Sequence, residues 1–198
     1  MIRRNRTNGL CRSCWPVWHS LSIVVVPVAA AILAGQGSAN ASDSSDVEVR
    51  VKAAYIYNFA RFVEWPARPG AGPLRIGILG KGDLERPLQE VIRGKTANGR
   101  SLEVSRVSAV TEADCCEILV IERSESRNVK DVAKALTGKP VLTVCDEENC
   151  FRDGAMIAFL IVDESVRFQI NQDAAAHAGL TISSQLLKVA VSGPGKRR

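Results

Sequence analysis

Histidine is nearly missing from this 198-residue chain: there are two, and only His177 lies beyond the N-terminal leader described below. That scarcity bears on several chemistries at once. A zinc-binding H-E-x-x-H helix is absent, and a Ser–His or Cys–His pair would have to be built on His177 alone. His177 sits in an alanine-rich stretch (AAAHAG) near a predicted helix end, where it reads as solvent-facing or helix-capping. No G-x-S-x-G elbow occurs, and no serine stands three residues before a lysine, which removes Ser-x-x-Lys acylation. Long apolar runs are missing too. The most apolar stretch, Leu21 to Ala34, has 14 residues and contains Pro27, short of the ~20 needed to cross a bilayer core. No internal repeat or long low-complexity segment is present. The chain offers no catalytic residue, no cofactor motif and no metal-ligand set.

What the first residues do contain is an export signal. Arg3, Arg4, Arg6 and Arg12 form a basic n-region without acidic residues, Leu21–Ala34 is the apolar h-region, and Ala39-Asn40-Ala41 supplies the small-x-small cleavage pattern. Residues 1–41 are therefore expected to be a Sec signal peptide, 42–191 one periplasmic domain and 192–198 a loose basic tail. Leu33-Ala34-Gly35 is followed by Gln36, not the cysteine of a lipoprotein, and Cys11 and Cys14 leave with the signal. All 21 acidic residues but only 22 of the 26 basic ones lie beyond residue 41, so the exported part is almost neutral. The whole-chain pI of 9.0 thus gives no case for nucleic acid or a membrane surface.

Two glycine-rich stretches mimic phosphate loops without their spacing. Gly77 to Gly82 (GILGKG) follows a predicted strand but is not G-x-G-x-x-G, and Gly94-Lys95-Thr96 has Gln89 where a P-loop needs its first glycine. Both read as turns at strand ends.

The pattern of the exported part is α/β. Val47, Val51, Tyr55, Phe59 and Phe62 recur at helical spacing, widened by Ile56, Ala60 and Val63, which predicts a helix over 47–63 ended by Trp65-Pro66. Strands are expected at 74–79, 102–107, 118–121 and 141–144, with helices at 84–92 and at 129–136, the latter closed by Gly138. A hairpin at 156–170 and a helix carrying Ile182, Leu186, Leu187 and Val189 complete the domain. This alternation predicts a single compact domain with a mostly parallel sheet flanked by helices and a C-terminal hairpin and helix.

Four cysteines remain after export. In an oxidising compartment an even number favours disulfides over metal binding. Cys145 and Cys150 are separated by the polar turn-forming Asp146-Glu147-Glu148-Asn149, which favours this pair over the two other pairings. The three acidic residues between them read as keeping the loop in solvent. Cys115 and Cys116 are adjacent: a vicinal bond would be strained, one thiol could be buried and the other exposed, and a four-thiolate zinc site ranks low without C-x-x-C pairs.

Aromatics are unevenly spread. Five of the eight beyond residue 41 lie between 55 and 65: Tyr55, Tyr57, Phe59, Phe62 and Trp65. Core packing accounts for most of them, but rings all around one helix cannot all face inward. Tyr57, Phe62 and Trp65 are the candidates for a homodimer or partner surface.

Two segments carry a resemblance. Val51 to Pro66 (VKAAYIYNFARFVEWP) resembles the opening signature of the YfiR/HmsC family of periplasmic proteins. Val166 to Ala190 (VRFQINQDAAAHAGLTISSQLLKVA) resembles its closing signature, with Cys116-Glu117-Ile118-Leu119 and Lys139 to Val144 matching between them. The resemblance implies a periplasmic α/β domain that forms a homodimer and acts by binding. Its expected partner is the periplasmic sensor region of an inner-membrane diguanylate cyclase, which such proteins repress, and an outer-membrane lipoprotein can sequester them. The consequence would be lower cyclic di-GMP and less biofilm, without contact with the nucleotide. Cys145 and Cys150 match the family's C-terminal disulfide. A second family disulfide joins a first-strand cysteine to the position of Cys116; here the first-strand residue is Gly77. The alternative function is a periplasmic small-ligand or sensor module using the crevice at the C-terminal ends of parallel strands.

Overall fold

A computed structural model describes residues 39–67 and 72–191. The expected n-region and h-region, Cys11 and Cys14, the middle of the Pro66–Pro73 run and the basic tail lie outside the described residues.

The first helix, α1 (Ala39–Phe62), starts earlier than its apolar stripe and stops three residues before Trp65. The chain then enters a two-residue strand, β1 (Val63–Glu64). The remaining elements are β2 (Leu74–Leu79), α2 (Glu85–Ile92), β3 (Thr96–Ala97), β4 (Arg100–Val107), β5 (Ile118–Ile121), α3 (Val129–Ala135), β6 (Leu142–Cys145), β7 (Ile157–Val162), β8 (Ser165–Ile170), α4 (Gln172–His177), β9 (Thr181–Ile182) and α5 (Ser184–Val189). Short 3₁₀ turns fill 110–115, 123–128 and 148–151.

Seven strands form one sheet in the order β3-β4-β2-β5-β6-β7-β8. The central pairings β4–β2, β2–β5, β5–β6 and β6–β7 are parallel, whereas the outer β3–β4 and β7–β8 are hairpins. Helices cover both faces, so the central strands are apolar on both sides, as in the fully buried ILVI of β5. Ile76, Ile78, Ile118, Val120, Leu142 and Val144 face one cluster with Ile56 and Phe59 of α1. Leu79, Leu119, Ile121 and Cys145 face the other, with Val129 and Val132 of α3. The α/β class and the mostly parallel, helix-flanked sheet are as expected.

Both hairpin turns use left-handed backbone at two successive residues, the geometry that matches strand twist. Asn98 and Gly99 (φ 51° and 75°) suit it; Asp163 and Glu164 (φ 47° and 58°) adopt it without a glycine.

Two expectations are corrected. The stripe of α1 does not stay buried along its length: Ala53, Ile56, Phe59, Ala60 and Val63 are fully buried, but Val47 is 55% and Val51 36% exposed. The C-terminal segment is not one helix either. Gly179 (φ 73°) breaks it into α4 and α5, and Ile182 belongs to β9, which pairs antiparallel with β1 through Val63↔Ile182 and Glu64↔Thr181. Asn171 and Ser183 cap the two short helices by accepting from Ala174 and Leu186 backbone N–H groups.

Candidate functional site

From β2 the chain crosses through α2 to β4 on one side, then returns to β5 on the other. The C-terminal ends of β2 and β5 thus form the switch point where open α/β sheets leave a crevice. A cavity of about 290 Å³ opens there, lined by Val49, Lys52, Leu84, Ser124, Asp146 and Phe159 among others.

The loop amides beside that crevice are held by the chain's own carboxylate. Glu122, 3% exposed, follows directly on β5. Its Oε2 accepts from Gly82 N at 2.5 Å and its Oε1 from Leu84 N at 3.3 Å, so the loop after β2 wraps around it. Arg106 of β4 donates to the same carboxylate at 3.0 Å, and to the Gly80 and Gly82 carbonyls. The loop glycines are required by this closeness. A Cβ at Gly82 would lie 2.6 Å from Glu122 Oε1, and one at Gly80 (φ 127°) 2.8 Å from Glu122 Cβ. The glycine spacing that failed as a phosphate loop is that of a loop closed on a side chain.

The cationic side is likewise satisfied from within. Lys52, 5% exposed, reaches across from α1 to Asp146 Oδ1 at 2.5 Å and to Glu48 one turn earlier. Burial pushes the Asp146 carboxyl up from its ordinary value, and the ion pair with Lys52 opposes that. Asp146 is therefore not a solvent-facing loop residue as expected alongside Glu147 and Glu148. The chain turns it inward because the residue follows immediately on Cys145 at the end of a buried strand.

Cys145 and Cys150 form a disulfide with Cα atoms 6.1 Å apart, which fixes the loop that presents Asp146. Cys115 and Cys116 are both free. Cys115 is exposed and its thiol donates to Glu112 O at 2.9 Å. Cys116 is 1% exposed, and burial, then the neighbouring Cys115, pushes its thiol up to about 12. A Cβ at Gly77 would sit 2.8 Å from Cys116 Sγ. Among the described residues no group of three His, Cys, Asp or Glu is arranged to hold a metal ion. His177 ends α4, exposed, with Nδ1 2.6 Å from Asp173 O.

The clustered aromatics divide by task. Phe59 is buried and meets Phe168 edge-on at 5.0 Å; Tyr55 meets the same ring at 5.0 Å. Trp65 donates its indole N–H to Glu117 O at 3.0 Å, which ties the end of α1 to the start of β5. Tyr57 and Phe62 are half-buried and carry cations: Arg61 lies 5.7 Å from the Tyr57 ring centre and 5.1 Å from that of Phe62, with Lys95 4.7 Å from Tyr57. Of the three candidate interface residues, these two share one outward patch, and the polar atom of Trp65 is engaged inside the domain.

The motif reading missed Lys52, Arg100, Arg106, Glu117 and Glu122. A signal existed: Glu117 and Glu122 bracket the fully apolar ILVI, and a carboxylate abutting a buried strand needs a partner.

A family model described as YfiR/HmsC-like matches residues 49–191, nearly the whole described domain. Among solved structures, a conserved domain protein from Vibrio cholerae is similar at a TM-score of 0.52 and 12% identity, covering 73% of this chain and 59% of that one. An ABC domain in complex with L-Trp from Streptococcus pneumonia gives 0.48 and 13%, covering 73% and 60%. The chain spans less than two thirds of the length of either, and at such identity the likeness to the first is one of fold.

Proposed function

The chain belongs to the YfiR/HmsC-like family, whose members are periplasmic regulators in cyclic di-GMP signalling, and on that premise we propose that it represses an inner-membrane diguanylate cyclase. It does so by binding the cyclase's periplasmic sensor region as a homodimer, and an outer-membrane lipoprotein relieves the repression by sequestering it. Repression lowers cyclic di-GMP and biofilm formation. Residues 1–41 serve as the cleaved export signal.

The observation that carries a binding role over the small-ligand alternative is the state of the switch-point crevice. An anion-binding module keeps loop amides free for its ligand, whereas here Glu122 holds those of Gly82 and Leu84. Regulation through a surface asks nothing of the crevice except rigidity.

Deleting the gene in its host should raise cellular cyclic di-GMP, and the exported protein supplied from a plasmid should restore it. An unchanged level under aerobic growth would sink the regulatory reading. Light scattering on the purified protein should give twice the monomer mass.

A further inference from the structure

Among the described residues, β4 is a long strand whose outer side is left largely unpaired at one edge of the sheet. β3 covers β4 only at Thr96↔Ser101 and Ala97↔Arg100, while β4 runs on to Val107. Among the described residues, no strand pairs with the outer side of β4 beyond Ser101. The backbone direction follows from the hairpin. Ala97 and Arg100 close the two-residue turn and exchange hydrogen bonds, so alternate residues along β4 point their N–H and C=O the same way as Arg100. Leu102 and Val104 therefore present these groups to the open side, whereas Ser101 and Glu103 turn theirs to β2.

A groove of about 480 Å³ runs beside this edge, lined by Ile92, Arg93, Lys95, Thr96, Leu102 and Val104 among others. Its floor is apolar: Leu102 and Val104 are half-buried against the core. Its charge is of one sign, since no carboxylate lines it and Arg93 and Lys95 are exposed. Lys95 is held in place over the Tyr57 ring, and Tyr57 donates to Thr96 O at 3.3 Å, which joins the groove to the outward aromatic patch of α1. The opposite edge of the sheet differs, because Val191 N donates to Phe168 O of β8 and partly covers it.

We propose that the outer edge of β4 is the docking site for an extended strand of a protein partner, which adds to the sheet through Leu102 and Val104 and places acidic side chains on Arg93 and Lys95. Main-chain pairing supplies affinity, and the apolar floor with its cationic end selects the sequence. Exposed edges left unprotected invite unwanted pairing, so a long open edge with a charged groove suits a built-in acceptor. This proposal rests on the binding role above and supplies its surface.

The test uses the exported protein purified from its host and a fluorescein-labelled peptide of alternating valine and threonine with two terminal aspartates, read by anisotropy. The acidic peptide should bind, and versions with lysines for the aspartates or with alternate amides N-methylated should not. Val104→Pro removes an outward N–H without touching the bonds to β2, and Arg93→Glu with Lys95→Glu reverses the groove's charge. Each should weaken binding about tenfold or more, equivalent to ~1.4 kcal/mol, while Val104→Ala, which trims the apolar floor but keeps the N–H, should weaken binding less than Val104→Pro does. Absence of binding by the acidic peptide, or equal binding by the parent and the charge-reversed variant, would overturn the proposal. If Val104→Pro does not fold, the charge-reversed variant decides alone. Because no cyclase is present, failure here leaves the regulatory reading to its own deletion test.

Discussion

β5 carries a buried carboxylate at each end, and the two ends are built alike up to a point. Before it, Glu117 (4% exposed) accepts from Arg75 N at 2.8 Å and from Arg100 at 2.5 Å. After it, Glu122 (3% exposed) accepts from Gly82, Leu84 and Arg106. Both arginines come from β4, so each end of the three adjacent strands β4–β2–β5 is clamped by one ion pair reaching across β2. The difference lies in what surrounds them. At the Glu117 end, Arg100 also holds the carbonyls of Gly72 and Pro73, and Trp65 donates its indole N–H to Glu117 O. At the Glu122 end the carboxylate holds an entire loop and faces a crevice. The first end is a joint between strands, and the second is a loop closed on a buried carboxylate beside a crevice.

That contrast is sharpened most by removing the carboxylates. Each removal leaves buried backbone N–H groups without an acceptor, at about 1–3 kcal/mol apiece, while Arg100 and Arg106 are exposed enough for water to replace part of their pairing. Glu122→Ala should therefore destabilise more than Glu117→Ala in urea melts, and amide exchange should rise at Gly82 and Leu84 in the first but at Arg75 in the second. Equal losses with unchanged exchange in the 80–84 loop would show the two ends to be equivalent.

Gly77→Cys comes next. It should place a sulfur against Cys116 midway between the two clamps and lose two protons on oxidation, seen by mass spectrometry, with a gain of ~2–3 kcal/mol. Removing Cys145 and Cys150 together should cost less than the ~3 kcal/mol of a 15-residue loop, because the ring they close is short. Its signature belongs to the crevice end alone, as faster exchange near Asp146.

Smaller effects probe the thiols and the buried acid. At pH 8 iodoacetamide should label Cys115 and leave Cys116 unmodified until the protein is unfolded, since the latter is both covered and far below its titration point. The raised Asp146 carboxyl favours the folded state in its protonated form. Its contribution is present below the ordinary carboxylate value and is lost as pH rises through the raised one. Asp146→Asn should flatten that acidic stretch of the stability-versus-pH curve and leave the Glu117 end unaffected.

Strands β2 and β5 were legible to the residue because Leu74 to Leu79 and ILVI are continuous apolar runs with turn residues beside them. The hairpin of β7 and β8 was legible for the same reason. β1, β3 and β9 were not: two-residue strands have no periodicity of their own and exist only because a partner pairs with them, next in the chain for β3 and far along it for β1 and β9. The crevice network was hidden for a similar reason. Lys52 and Asp146 look like ordinary surface residues in a linear pattern, and only the fold makes them neighbours. The disulfide could be read because its two cysteines are local. The outward pair of Tyr57 and Phe62 could be read only as part of a set of three, since nothing in the sequence shows that Trp65 turns back to Glu117.

The pairing of β1 with β9 has a consequence for the order of assembly. Helix α1 is held at its end by one of the last described segments of the chain, and its Lys52 also waits for Asp146. Contacts so distant along the chain set a high loop-closure cost before any reward, which slows folding until the full domain is available. A chain wired in this way commits to its shape only once its C-terminal segment is present to pair with the end of its first helix.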